Sequence, residues 1–329
     1  MAIQGSLITL GVFVSLFAAL IYMAVGPLPT KAMAVAQAAY KETIRQPLFW
    51  FLLIFVIFLM VVSIFLPYYT FGEDLKMLKE LQLSAILLPP LILTLFTAAI
   101  SVSEEIEGRT AVTLLSKPVA RRDFLLGKYI GILAAALLMI LLLTVVMGWT
   151  INSKIDYDRL LEDMAKKPEE ASYIKALMDV RNWAANWPDL LQEGVVYIVR
   201  IFMVIYLMAA GPFCHFCQVA IMTAITVALA TRLPFVLNLF VGLSIFFIGN
   251  LVPVLKSQAG DIPMVKFVAE LFGFILPSLN YFKIESALAS GLIVVPWGEY
   301  TLQAGIHALI YCIIAMIIGL LLFEDRDVA

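Results

Sequence analysis

Long apolar blocks alternate with shorter polar stretches along the chain. Each block holds about 20 residues with almost no charged side chains, and strand-length segments of alternating polarity are not found. About 20 helical residues cross the roughly 30 Å hydrocarbon core of a bilayer, and a helix satisfies its own backbone hydrogen bonds there. The pattern therefore predicts seven membrane-spanning helices, at residues 6–26, 48–66, 83–102, 124–149, 194–231, 235–255 and 301–323.

The block at 194–231 is longer than one crossing needs. It is either one long kinked helix or two short helices that meet at Gly211-Pro212. One net crossing is favoured, because the turn at 231–234 carries Arg232 without a nearby acid and is therefore expected on the cytoplasmic side. Arg200 then lies near the outer interface, where it can pair with Glu193 on the same helix face.

Besides the segment 102–123 and the turn at 231–234, four polar stretches separate the blocks. Residues 30–46 carry Met33, Ala36, Tyr40 and Ile44 at helical spacing, which predicts an interfacial helix on the cytoplasmic side. Residues 73–80 predict a short outer loop, residues 150–193 an extracytoplasmic helical loop, and residues 256–299 short helices on the outer surface.

Composition and charge agree with a membrane protein. Hydrophobic residues make up 63% of the chain and charged residues 14%, and the mean hydropathy is +0.99, so too few polar side chains exist to cover a water-soluble globule. The net charge of −2 excludes a basic nucleic-acid footprint. Basic residues first appear after the first block, and they cluster again between residues 103 and 128. The expected orientation therefore has the amino terminus outside and the carboxyl terminus in the cytoplasm.

Cysteines and histidines are expected to serve packing. The run Cys214-His215-Phe216-Cys217 lacks the order of a haem attachment site and the further ligands of a zinc site. We interpret these residues, Cys312 and His307 as packing residues and expect no metal or cofactor in this chain. No phosphate-binding loop occurs either, since Gly127-Lys128 is followed by Tyr129 inside a span. ATP hydrolysis, if it is needed, belongs to another chain.

The segment 102–123 contains a local conflict. Three glutamates gather where an inward-running helix should end, and carboxylates at that end oppose the helix macrodipole. Gly108 can stop this helix, residues 110–115 can form a short second one, and Lys117-Pro118 can turn the chain back. A rigid cytoplasmic hairpin with charged flanks is predicted, and the alternative is an ordinary positive-inside loop.

Three stretches resemble the type-2 ABC transporter permeases, also called the ABC-2 family. The most specific match is SEEIEGRT at 103–110 with LLSKPVARRDFLLGK at 114–128, and weaker matches are AAYKETIRQP at 38–47 and ATRL at 230–233. The resemblance implies an all-α polytopic membrane protein with the type-2 exporter transmembrane domain at 47–323. It further implies an elbow helix at 30–46, in which the residues concerned are Tyr40, Lys41, Glu42 and Arg45.

The same resemblance implies partners. The coupling region 102–123 would dock on a separate ABC ATPase subunit, which holds ATP and Mg, and a second permease chain, identical or related, would complete the transporter in a bacterial inner membrane. The coupling residues implied in this way are Glu104, Glu105, Glu107, Arg109, Thr110, Leu114, Lys117, Arg121 and Arg122. The chain departs from the family pattern in its extra amino-terminal span at 1–29 and its acidic tail at 324–329.

Two other classes of function remain as alternatives. A non-transporting scaffold could hold an ATPase, or an extracytoplasmic partner on the 150–193 region. A secondary transporter is disfavoured, because its ionisable groups usually lie near the bilayer midplane and these blocks are almost free of charge.

Overall fold

The protein is an assembly of long α-helices. The computed structural model describes residues 31–66, 68, 73–107, 120–162, 189–258, 276–290 and 297–324, with single positions between 264 and 273. The predicted first span, the tip of the predicted coupling hairpin at 108–119, residues 163–188 of the predicted extracytoplasmic loop and the acidic tail from 325 onward lie outside the described residues. No strand occurs in the described part of the chain.

Nine α-helices are described in this part of the chain. In chain order they are α1 (Lys31–Arg45), α2 (Pro47–Val62), α3 (Asp74–Glu107), α4 (Arg121–Glu162), α5 (Asp189–Met208), α6 (Ala210–Ala230), α7 (Phe235–Gln258), α8 (Glu285–Ala289) and α9 (Trp297–Glu324). Short 3₁₀ helices lie at Ser63–Phe65 and Leu279–Phe282. Pro47 occupies the first turn of α2, where the missing amide hydrogen costs no hydrogen bond.

Six helices among the described residues are long and apolar enough to cross a membrane. They are Pro47–Phe65, Asp74–Ser103, Arg121–Asp156, Ala210–Ala230, Phe235–Val252 and Gly298–Glu324. These correspond to the six predicted blocks that follow residue 47. The all-α polytopic fold expected from the sequence is thus confirmed.

Two predicted loops are wrong at their edges, because helices continue into them. The predicted outer loop at 73–80 is almost entirely the first two turns of α3. Similarly, α4 does not stop at Trp149 but runs for 42 residues, or about 63 Å, roughly twice the hydrocarbon thickness. Its distal part therefore projects beyond the bilayer.

Helix α6 forms the centre of the bundle. Its apolar stretch is 83% buried, against 28% for those of α7 and α9. It packs against α3, α4 and α9, and close contacts such as that between Gly319 and Ala228 join α9 to it. Helices α2, α7 and α9 consequently form the periphery and expose wide apolar faces.

Helices α5 and α6 form one kinked rod, which decides between the two alternatives for this block. The break falls at Ala209, and a backbone hydrogen bond from Phe213 to Ala209 continues across it. Pro212 has no amide hydrogen to donate to the carbonyl of Met208, where α5 ends. Within the described residues only the α6 part of the rod is long and apolar enough to cross a membrane.

The predicted pair of Glu193 and Arg200 is wrong. Arg200 instead makes an ion pair with Asp156 near the distal end of α4, and Glu193 is exposed. The reason is the unexpected length of α4. It runs beside α5, where Gly148 faces Ile205, and so brings Asp156 next to Arg200.

Within the predicted outer-surface segment 256–299, residues 279–289 pack into the bundle, and the membrane side of this segment stays a prediction. Five of its side chains are buried: Leu279, Phe282, Ile284, Leu288 and Ala289. Leu279 lies in a cluster with residues of α3, α6 and α7, including Leu91 and Phe246, and it lies against Gly249. Removing these apolar side chains from water is favourable, so the segment packs into the bundle instead of remaining exposed.

Candidate coupling interface at one end of the bundle

The elbow helix α1 packs closely against α4, just after the predicted coupling hairpin. A Cβ atom added at Gly127 would lie 2.6 Å from Val35 Cβ, and one added at Gly131 would lie 2.3 Å from the Ala36 carbonyl oxygen. Gly127 and Gly131 are four residues apart and therefore share one face of α4. This small-xxx-small spacing lets two helix backbones approach closely in a membrane protein.

A buried polar cluster joins α1, α3 and α4 at this end. The Lys128 ammonium on α4 donates to Ser101 Oγ on α3 at 2.6 Å and lies 3.3 Å from Glu42 Oε2 on α1. The Ser101 hydroxyl is 3.5 Å from both Glu42 oxygens. Lys128 is almost completely buried, whereas the Glu42 side chain is 46% exposed. One cation therefore binds three helices together.

The other elbow residues divide into a buried and an exposed face, as the spacing predicts. Tyr40 is buried with Ala134, Ala135 and Leu137 of α4, and burial raises the pKa of its phenol. Lys41 and Arg45 are exposed on the opposite face. The Thr97 hydroxyl of α3 donates to Gln46 Oε1 at 3.0 Å and fixes the bend between α1 and α2.

A second set of contacts ties the end of α9 to its neighbours. Arg121, at the start of α4, donates to the Phe323 and Glu324 carbonyl oxygens, both at 3.1 Å, and its guanidinium lies over the Phe323 ring. Arg232, in the turn between α6 and α7, donates to the Leu322 carbonyl at 2.8 Å. Positive groups at these carbonyls also complement the macrodipole of α9.

Helix α3 is linked to the same region. The Ser103 hydroxyl donates to the Leu233 carbonyl at 3.1 Å, in the turn that carries Arg232. The ends of α3 and α4, between which the coupling hairpin is predicted, are therefore connected through side chains to α1, to the α6–α7 turn and to α9.

The predicted coupling residues have different positions. Helix α3 is described as far as Glu107, so Glu104, Glu105 and Glu107 lie in its last two described turns, and the stop at Gly108 stays a prediction. Arg121 is bound to α9, and Arg122 is exposed, 3.8 Å from Asp123. The side chains of the three glutamates lie outside the described residues, as do Arg109, Thr110, Leu114 and Lys117. Their roles remain predictions.

Sequence reasoning missed two features. The Gly127–Gly131 spacing is a sequence signal for close helix packing, and it adjoins the charged segment 102–123. The proximity of His215 to Glu285, 3.7 Å between Nε2 and Oε1, had no local signal because the residues are 70 positions apart. Burial raises the pKa of Glu285. Cys214 and Cys217 are buried as predicted, while Cys312 is only partly buried.

Metal binding finds no support in the described part of the chain. No group of three His, Cys, Asp or Glu side chains lies close enough there to hold an ion. The fold defines a polytopic α-helical membrane protein in which the predicted elbow helix α1 packs against α4. A family model for the ABC-2 family transporter proteins matches residues 33–328.

The chain therefore belongs to the ABC-2 family, and it is a membrane permease of an ABC transporter. Permeases of this family are typically non-catalytic transmembrane subunits that work with an ABC ATPase. A comparison with curated proteins finds no match to the chain.

Proposed function

We propose that the segment 102–123 of this permease docks on a separate ATPase subunit. Through this segment, ATP hydrolysis by that subunit is coupled to export. The observation that carries the proposal is the set of links at the ends of α3 and α4. Lys128 connects them to α1, Ser103 connects α3 to the α6–α7 turn, and Arg121 connects α4 to α9. A displacement of the hairpin between α3 and α4 would act on these helices together.

The chemical roles divide by position. Glu104, Glu105, Glu107, Arg109 and Lys117 supply the charges for contact with the ATPase, and Thr110 and Leu114 supply the apolar middle of the contact. Arg121 is hydrogen-bonded to α9, so it transmits the movement to that helix rather than contacting the ATPase. Arg122 is exposed and makes no hydrogen bond to α9 among the described residues. ATP and Mg are held by the partner ATPase. Two permease chains, identical or related, form the complete transporter.

Orientation follows from the charges. The end of the bundle that carries 102–123 and the elbow helix faces the cytoplasm of a bacterium, and the distal part of α4 faces outward. The extra span at 1–29 adds one crossing, so that the amino terminus is outside and the carboxyl terminus inside.

Capture of the ATPase tests the proposal. The full chain and the Glu104→Ala/Glu105→Ala/Arg109→Ala variant are purified from their native host, and mass spectrometry quantifies any polypeptide that carries a phosphate-binding loop. We expect such an ATPase with the wild type and at least tenfold less with the variant. Undiminished capture with normal ATP turnover would overturn the coupling role of this segment.

A control separates a local from a global effect. The Glu73→Ala/Lys76→Ala variant removes an exposed ion pair at the opposite end of α3 and should capture the ATPase normally. The scaffold alternative is favoured instead if the ATPase binds and hydrolyses ATP but vesicles containing the complex move no substrate.

A further inference from the structure

A groove lies on the exposed side of the bend between α1 and α2. We call it the elbow groove. Its lining residues are Ala38, Lys41, Glu42, Arg45, Gln46 and Pro47. Lys41 and Arg45 are four residues apart and therefore lie on the same side of α1. Both side chains are exposed.

The groove carries two exposed basic side chains. Among the described residues, no acidic side chain pairs with Lys41 or Arg45. Glu42 is the acid within the groove, and its carboxylate is bound by the buried Lys128 and by Ser101. Lys41 and Arg45 are thus the two exposed cations that line the groove. A ligand that fits here is therefore an anion.

The groove continues onto an apolar face of α2. Pro47 lines the groove, and Phe51, Ile54 and Phe58 follow it at helical spacing on one face. These three side chains are 64%, 63% and 62% exposed, and Trp50 beside them is 50% exposed. An anionic head at the groove can therefore extend apolar chains along α2.

We propose that the elbow groove binds an anionic phospholipid of the surrounding bilayer, with its phosphate at Lys41 and Arg45 and its acyl chains along Phe51, Ile54 and Phe58. A soluble anion would use the basic groove and leave the adjoining apolar face uncovered, whereas a phospholipid matches both. Basic pockets between membrane helices at a headgroup level are recognised sites for anionic lipids.

The site lies where a lipid can affect the elbow. The groove shares Glu42 with the Lys128 cluster and Gln46 with Thr97 of α3. A phosphate bound at Lys41 and Arg45 therefore restrains the same bend that is held to α3 and α4. This inference requires only a membrane-embedded protein and does not depend on coupling to an ATPase.

Fluorescence quenching at Trp50 tests the proposal. The full chain, with its other tryptophans replaced by Phe, is reconstituted into vesicles of phosphatidylcholine and phosphatidylglycerol, and one lipid at a time carries brominated acyl chains. We expect phosphatidylglycerol to be preferred at Trp50. At about 1 kcal/mol per basic residue, each of Lys41→Gln and Arg45→Gln should reduce the preference roughly fivefold, and both together about thirtyfold at most.

A matched control removes the same charge from the opposite end of the bundle. In the Lys76→Gln/Lys283→Gln variant, the preference should be unchanged. Equal quenching by both lipids in the wild type, a preference that survives the Lys41→Gln/Arg45→Gln change, or an equal loss in the control would each overturn the proposal. If no lipid preference exists but the elbow variant loses a co-purifying ATPase, the groove is a protein-docking surface instead.

Discussion

Gly131 is where α1 and α4 approach most closely. We predict that Gly131→Ala destabilises the protein by about 1–3 kcal/mol, because the new methyl group would lie 2.3 Å from a backbone oxygen of α1. Thermal unfolding in detergent measures the loss. Gly194→Ala is the matched control, since nothing lies within 4 Å of its Cβ position, and replacing an exposed helical glycine should stabilise by up to about 1 kcal/mol. Equal effects of the two changes would contradict close packing of the elbow.

Lys128 and Glu42 are predicted to respond unequally to substitution. Glu42→Gln takes the carboxylate from a buried ammonium and should cost about 1–2 kcal/mol, reduced from the value for a fully buried pair because Glu42 is half exposed. Lys128→Met replaces the buried charge by an apolar side chain of similar length and leaves Glu42 accessible to water. Chemical denaturation should therefore show a smaller loss, or none, for Lys128→Met. A larger loss of stability for Lys128→Met than for Glu42→Gln would refute the assignment of the buried charge to Lys128.

Glu285 gives a prediction that depends on pH. Burial raises its pKa in the folded protein, so the stability linked to its proton is present at low pH and is lost as pH rises through the folded pKa. Lys283 opposes this shift and Glu80 adds to it. Glu285→Gln should therefore raise the melting temperature at pH 7, and the gain should shrink as pH falls towards 4.5. Glu299→Gln, at an exposed position, should show no such trend. If Glu285→Gln raised the melting temperature by the same amount at every pH, the charge of Glu285 would not be the cause.

At the scale of elements, the end of α9 depends on residues from other helices. Arg121→Met removes two donors to its last carbonyls, so amide hydrogens in the last turn should exchange roughly three- to tenfold faster. Hydrogen exchange with mass spectrometry measures this change. Arg122→Met, next along the chain but exposed and without a bond to α9, should leave exchange unaltered.

The sequence predicted elements well wherever hydrophobicity decides them. The six blocks after residue 47 correspond to helices, because the pattern reports directly on the length that lipid requires. Helix ends were less predictable. The polar residues at 74–80 and 150–162 continue α3 and α4, since a helix that leaves the bilayer can remain helical in water when neighbouring helices support it.

Contacts between distant residues could not be predicted from local patterns. The pairing of Arg200 with Asp156 depends on the unexpected length of α4, and the burial of 279–289 depends on a space between α3, α6 and α7. The elbow helix was predicted with its correct faces, but its anchor at Gly131 and Lys128 required the structure. The coupling site at 102–123 stays a prediction from the sequence, and the contacts that connect its flanking helices could be found only in the structure.

At the scale of the whole molecule, one helix is enclosed at the centre of the bundle, and side chains link several helices at one end of it. Helix α6 is enclosed by α3, α4 and α9, while α2, α7 and α9 expose apolar faces to lipid. At the end that carries 102–123, side chains link α1, α3, α4, α9 and the α6–α7 turn. Such an arrangement suits a subunit that receives force at one end and distributes it through rigid helices.

The central claim is that the segment between α3 and α4 contacts an ATPase, and site-specific photo-crosslinking tests it most directly. A photoreactive amino acid is placed at Leu114, and, as a control, at the exposed Gly194 beyond the opposite end of the bundle. In native membranes, Leu114 should crosslink to a polypeptide that carries a phosphate-binding loop, and Gly194 should not. The absence of such a crosslink from Leu114 and its neighbours Thr110 and Lys117, in membranes where the ATPase co-purifies with the permease, would contradict the account.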